Sequence, residues 1–435
     1  MTAELTAILS AASAVTLPAA GDTLASATAV PAVVPSAIPE ASAADVLSAA
    51  AVPLTAAIPA TGNPFATDSR PVTVAVDACG GDRAPEVVCA GVRALMQTEQ
   101  GINIILIGSA EAIKPLADEF PGRIEAVATT ESIGMDEHPA TAVRQKKDSS
   151  IVVGCRLVKE GRADAFFSAG NTGACMAAAT LIIGRLKGVA RPAILTVIPA
   201  PAGSLALLDV GANADVRPGY LLQFAQMGQA YAKSILRIPA PRVGLLNIGS
   251  EESKGSVFAQ EVYALLAAQL EGFAGNAEGN DFFSGAFDCI VTDGFTGNVA
   301  LKTMEGMASA LFKQLKIALS SSFTAKLGAG LVKGKLMELK ESMSADKYGG
   351  APLLGLKKVV TIGHGSSNVT AITNGIRASA EAVRAELPLL IERAVGDKSS
   401  DKLADKSSDD AADKLADKSS DKLADKSGGR EQEQQ

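Results

Sequence analysis

Ser168-Ala169-Gly170-Asn171-Thr172-Gly173-Ala174 follows an apolar run, Ala163 to Phe167, and precedes a small-residue helical pattern from Ala174 to Leu186. This reads as a strand that ends in a glycine turn and feeds a helix. The free amides of such a helix start point outward, and with the helix dipole they favour an anion. The design recurs at further strand ends. A protein that aims several such turns at one cleft is expected to handle phosphate.

Around this stretch, apolar runs alternate with helical patterns. The strand-like runs are Val72–Val76, Ile102–Ile107, Ile124–Ala126, Ala163–Phe167, Ile194–Ile198, Leu205–Leu208, Arg242–Asn247, Cys289–Thr292 and Val359–Ile362. Helix-like stretches include Glu86–Met96, Leu221–Ser234, Val257–Glu271 and Val299–Leu319. The alternation predicts an α/β fold, a mostly parallel sheet covered on both faces in an α/β/α arrangement. Ligands on such sheets bind beyond the carboxyl ends of the strands.

The body spans about residues 71–394. Residues 1–70 are rich in Ala, Pro, Ser and Thr, and Pro31, Pro35, Pro39, Pro53 and Pro59 interrupt any helix there. A basic leader region is missing, with Glu4 where Lys or Arg is expected. Residues 395–435 repeat Asp-Lys-Ser-Ser and Asp-Lys-Leu-Ala units of alternating charge. Both ends are expected to be disordered.

Composition narrows the chemistry. The 435 residues carry a net charge of −7, aromatics make up 4% and Trp is absent. Neither a nucleic-acid partner nor a base-stacking platform is indicated. Five cysteines without CxxC spacing fit a reducing cytoplasm, and two histidines are too few for a His-based metal cluster. No apolar run reaches the roughly 20 residues that span a bilayer.

Six strand-end loops carry the candidate site. Asp77-Ala78-Cys79-Gly80-Gly81-Asp82 offers Asp77, Gly80 and Gly81, or is a tight turn with an Asp cap. The quoted stretch offers Asn171, Thr172 and Gly173, with helix capping as the plainer reading. Leu208-Asp209-Val210-Gly211-Ala212-Asn213 offers Gly211 and Asn213. Asn247 to Gly255 contains Lys254, a mobile charge suited to phosphate or an oxyanion unless it is an ordinary surface lysine. Thr292-Asp293-Gly294-Phe295-Thr296-Gly297-Asn298 offers Asp293, Gly294, Gly297 and the Asn298 amide. Gly363-His364-Gly365-Ser366 offers His364, an imidazole between glycines that can reach a ligand, or a turn histidine without a catalytic role, and Ser366. No loop is a GxxxxGK[ST] or clean GxGxxG motif, so ATP and NAD are not indicated.

Taken in order, these loops resemble the PlsX family of bacterial phosphate acyltransferases. Ala142 to Ser150, Gly184 to Pro192, Tyr348-Gly349-Gly350-Ala351 and His364-Gly365-Ser366-Ser367 add to the likeness, which covers the body from Pro71 to Ala394. Departures are small: Cys79 stands where the family usually has Met, and Arg217 falls at a variable basic position.

The resemblance implies transfer of a long acyl chain from acyl carrier protein to inorganic phosphate, giving acyl-phosphate for phospholipid synthesis. It implies a fold like the isopropylmalate dehydrogenase and phosphotransacetylase group, no cofactor and a homodimer. Peripheral association with the inner face of the membrane is also implied, with a glycerol-3-phosphate acyltransferase as a candidate partner. Lys254 and Asn298 fall on the family's catalytic positions. Phosphate needs to be desolvated and held beside the thioester, and Lys254 with Asn298 would stabilise the oxyanion. A thiolate leaves readily, so no metal is demanded.

Three further expectations follow. Cys175, at a helix start that would lower its pKa, is a covalent alternative. Residues 320–343, with Phe323, Leu327, Leu331 and Val332 among lysines, form a helical hairpin that the family sets against the membrane. A core-facing or dimer-facing helix is the plainer reading, and Gly328, Gly330 and Gly334 are expected to break it into short pieces. A phosphotransacetylase-like enzyme using coenzyme A thioesters and a non-catalytic lipid or phosphate sensor remain as rival functions.

Overall fold

The computed structural model describes residues 71–201 and 203–396. The expectations for the two chain ends lie outside the described residues.

Eleven strands form one sheet in the order β3-β2-β1-β4-β11-β10-β5-β6-β9-β7-β8. They are β1 (Val72–Asp77), β2 (Ile102–Gly108), β3 (Ile124–Ala128), β4 (Ala165–Ser168), β5 (Ala193–Ala200), β6 (Gly203–Leu208), β7 (Val243–Leu246), β8 (Phe273–Ala277), β9 (Cys289–Val291), β10 (Ala351–Leu354) and β11 (Val359–Ile362). The nine expected strands are present; β8 and β10 are additional.

The sheet is mostly parallel, as expected. The exceptions are the three successive pairings β11–β10, β10–β5 and β5–β6, which are antiparallel. Three inversions leave the block β6-β9-β7-β8 running opposite to the block β3-β2-β1-β4-β11. The carboxyl ends of the two blocks therefore point in opposite directions. By strand direction the strand-end turns fall into two groups, one after each block.

Alternation places a core on each face of the sheet. Along β1, Val74 and Val76 join one apolar cluster and Ala75 the other. Helices cover both faces through apolar residues at helical spacing. In α10 (Val369–Arg384) Ile372, Ile376 and Ala380 are buried, and Asn368 caps its start by accepting from the Ala371 amide at 2.9 Å. Each buried Ile contributes about 1.5–3 kcal/mol relative to exposure.

The chain departs from this layered plan at α8 (Gly294–Ser320) and α9 (Phe323–Ser342). These form an antiparallel pair, and α9 has no buried residue. Gly328, Gly330 and Gly334 do not break α9, which runs unbroken over 20 residues. A mid-helix Gly costs only about 1 kcal/mol relative to Ala, and their neighbours include strong helix formers. The hairpin thus comprises both long helices, and residues 320–343 supply its second limb and the turn. Among the described residues no helix is long and apolar enough to cross a membrane.

Candidate active site

The first group of turns follows β1, β4 and β11. Asp77 is buried at the tip of β1, with Oδ1 accepting from the Cys79 amide at 2.9 Å and Oδ2 from the Ser168 hydroxyl at 2.7 Å. Ser168 Oγ in turn accepts from the Gly170 amide at 3.0 Å. Burial pushes the Asp77 carboxyl up, against the hydrogen bonds from Ser150, Ser168 and the Cys79 and Gly80 amides. Asp77 therefore holds the turns together rather than facing a ligand. The packing tolerates no side chain at Gly80, where a Cβ would lie 2.5 Å from the Gly170 nitrogen. Gly81 has a φ of +111°, a conformation suited to glycine.

Asn171 is also buried. Its Oδ1 caps α5 (Thr172–Ala178) through the Ala174 amide, and its Nδ2 donates to the carbonyls of Gly134 and Met135, each at 3.1 Å. Thr172 and Gly173 begin this helix, so their amides fall outside its hydrogen-bond ladder. Cys175 lies inside the core, and burial pushes its thiol up to about 12. The expectation of a lowered pKa there is corrected: desolvation outweighs a helix start of so few residues.

His364 and Ser366 are exposed on the turn after β11. The Asp82 amide donates to the Gly365 carbonyl at 2.8 Å, tying this turn to the one after β1. His364 Nδ1 accepts from the Ser366 amide at 3.2 Å and lies 2.8 Å from the Ser366 hydroxyl.

The second group follows β6 and β9. The Asp209 carboxylate accepts from the amides of Ile194, Gly211, Ala212 and Asn213 and from the Asn213 side chain at 2.8–3.2 Å. Gly211 and Asn213 thus direct their amides at a carboxylate of this protein. Asp293 caps α8 through the Thr296 amide at 2.8 Å. Gly294 donates to the Asn213 carbonyl at 2.7 Å, and Gly297 packs on the backbone of Asp209.

Lys254 sits in the turn after β7, its side chain half exposed and Nζ 3.8 Å from Glu251 Oε1. A cavity of about 510 Å³ separates this turn from α8, lined by Leu246, Asn247, Gly255, Phe258, Thr296 and Ala300 among others.

Asn298 is exposed and lies one turn before Lys302 on the same helix face. Lys302 Nζ is 3.4 Å from His364 Nε2. Helix α8 thus starts in the second group and carries Asn298 and Lys302 towards the first. Lys302 escaped the sequence reading: it lies mid-helix, beside no glycine and at no strand end. Among the described residues no cluster of three or more His, Cys, Asp or Glu side chains suits a metal ion.

Phe323, Leu327, Leu331 and Val332 are exposed on α9, with Phe323 at 82% and Leu331 at 83%. They lie on the hairpin, apart from both groups of turns.

The family model described as "Fatty acid synthesis protein" matches residues 72–389. A phosphate acyltransferase of Desulfitobacterium hafniense (strain DSM 10664 / DCB-2) is 52% identical over 314 residues, covering 71% of this chain and 93% of that protein. A phosphate acyltransferase of Bacillus pumilus (strain SAFR-032) is 45% identical over 330 residues, covering 76% and 99% respectively. Among solved structures, a phosphotransacetylase from Streptococcus pyogenes gives a TM-score of 0.48 at 17% identity, covering 72% of this chain and 94% of that one. On the family match and the extent of identity, the chain belongs to the PlsX family of phosphate acyltransferases.

Proposed function

We propose that this protein transfers a long-chain fatty acyl group from acyl carrier protein to inorganic phosphate, releasing acyl-phosphate for phospholipid synthesis. The observation that carries the reading is the 52% identity over nearly the whole of a protein named phosphate acyltransferase. Asn298 lies on α8 one turn before Lys302, whose Nζ is 3.4 Å from His364 Nε2, and this supports the reading.

In the proposed reaction a phosphate oxygen attacks the thioester carbonyl. A C–O bond forms, the carbonyl oxygen takes the negative charge, and collapse breaks the C–S bond and expels the thiolate. Lys254, in the turn after β7, and Asn298, on α8, are assigned to the oxyanion. The glycine turns at Gly80, Gly81, Thr172 and Gly173 are assigned to holding phosphate, and Asp77 to keeping those turns in place.

The exposed apolar stripe of α9 beside Lys326, Lys333 and Lys340 supports peripheral contact with an anionic membrane surface. The protein is proposed to act as a homodimer in the cytoplasm.

The test is mass spectrometry of the product after incubation with palmitoyl-acyl carrier protein and phosphate. Acyl-phosphate from the unaltered protein, and its loss in Lys254→Ala, is expected. A product formed from coenzyme A thioesters but not from acyl carrier protein would replace the donor.

A further inference from the structure

We propose that Lys302, together with His364 Nε2, binds an oxygen of the inorganic phosphate, a role in the site that rests on the acyltransferase reading above. A backbone amide can only donate. The Ser366 amide donates to His364 Nδ1 at 3.2 Å, and this assigns Nδ1 as an acceptor and places the ring proton on Nε2. The Lys302 ammonium, which also can only donate, lies 3.4 Å from that Nε2. Two donors that converge without an acceptor between them suit an anionic oxygen that accepts from both.

The surroundings agree with this assignment. One Lys302 donor is held by Glu305 Oε2 at 2.8 Å, so two of its three remain for a ligand. The Ser366 hydroxyl, 2.8 Å from Nδ1, fixes the ring from its other side. Asn298 lies one turn earlier on the Lys302 face, so the same helix face offers an ammonium and an amide side chain. Lys302 comes from the block of β9 and His364 from the block of β11. An anion gripped by both would bridge the two oppositely directed halves of the sheet.

The experiment measures turnover by the full chain with acyl carrier protein thioester held constant and phosphate varied. In parallel, inorganic phosphate is titrated calorimetrically without a thioester. Loss of a charged hydrogen bond in Lys302→Gln should raise the phosphate KM and weaken phosphate binding about tenfold or more. The thioester KM and the melting temperature should hold. Lys302→Arg should recover much of the phosphate affinity, which a purely structural role would not predict. His364→Gln added to Lys302→Gln should cost less than the sum of the two singles, because they share one ligand. Unchanged phosphate KM and binding in Lys302→Gln would overturn the assignment. If the unaltered protein makes no acyl-phosphate yet binds phosphate, and Lys302→Gln loses that binding, the acyl-transfer reading falls and this site stands.

Discussion

A Cβ built on Gly297 would overlap the carbonyl oxygen of Asp209. The start of α8 is thereby seated against the turn after β6, and every residue further along the helix takes its position from that contact. In an exposed helix, Gly→Ala would stabilise by about 1 kcal/mol. Here the neighbour is backbone, already anchored by the amide bonds to the Asp209 carboxylate, and overpacking of this kind costs about 1–3 kcal/mol. The clash should win. Gly297→Ala is expected to lower the melting temperature and to reduce turnover by displacing Asn298 and Lys302. A variant with unchanged melting and unchanged turnover would refute the close-contact argument.

Asp77 links two turns, so its loss should be felt in both. Ser168→Ala removes the hydroxyl between Asp77 and the Gly170 amide, with an expected cost of about 1–3 kcal/mol for the buried groups left unsatisfied. The pH dependence has a definite sign. Burial holds the Asp77 pKa above its ordinary 3.8, so its contribution is full below that value and declines as pH rises through the raised pKa. Asn does not titrate. Denaturant unfolding at about pH 4 and about pH 7 should therefore show Asp77→Asn trailing the unaltered protein more at the acid pH. A gap that widens with rising pH would reverse the assigned direction.

Cys175 is expected to be inert. With its thiol pushed up to about 12 by burial, only about one molecule in 100,000 carries the thiolate near neutrality. Turnover by Cys175→Ala should match that of the unaltered protein, and thiol reagents should leave this residue unlabelled in the native state. Loss of turnover with unchanged melting would restore the covalent route.

What was legible in the sequence depended on how local the signal is. Apolar runs such as Ile102–Ile107 and Val359–Ile362 declare themselves because nearly every residue is buried. β8 and β10 do not. Phe273–Ala277 contains Gly275 with a φ of +99°, and Ala351–Leu354 is four residues including a proline. They are strands because β7, β5 and β11 pair with them. The opposed direction of the two blocks is likewise set by long-range pairing. Gly211 and Asn213 show the same limit at the site. An Asp followed by Gly and Asn reads as an anion-binding turn, yet the anion it holds is the Asp209 carboxylate itself. The glycine turns were readable by composition; Lys302 was not, because only the packing of α8 brings it to His364.

The hairpin offers the last expectation. Phe323, Leu327 and Leu331 recur every four residues and form one stripe on a helix with no buried residue. The core-facing alternative for this segment is thus excluded, since there is nothing beneath the stripe among the described residues. Lys326, Lys333 and Lys340 accompany it, and each lysine near an anionic surface adds roughly 1 kcal/mol. Leu327 is 61% exposed, so Leu327→Glu removes apolar area and adds repulsion without opening a cavity in the core. The variant is expected to lose binding to vesicles containing anionic lipid while keeping its melting temperature and its turnover in solution. Raising the salt concentration should weaken vesicle binding of the unaltered protein, because the lysine contribution is screened. Vesicle binding that survives Leu327→Glu would move the stripe from the membrane to a contact with a second copy of the chain, which sedimentation of the same variant would then detect as a change in oligomeric state.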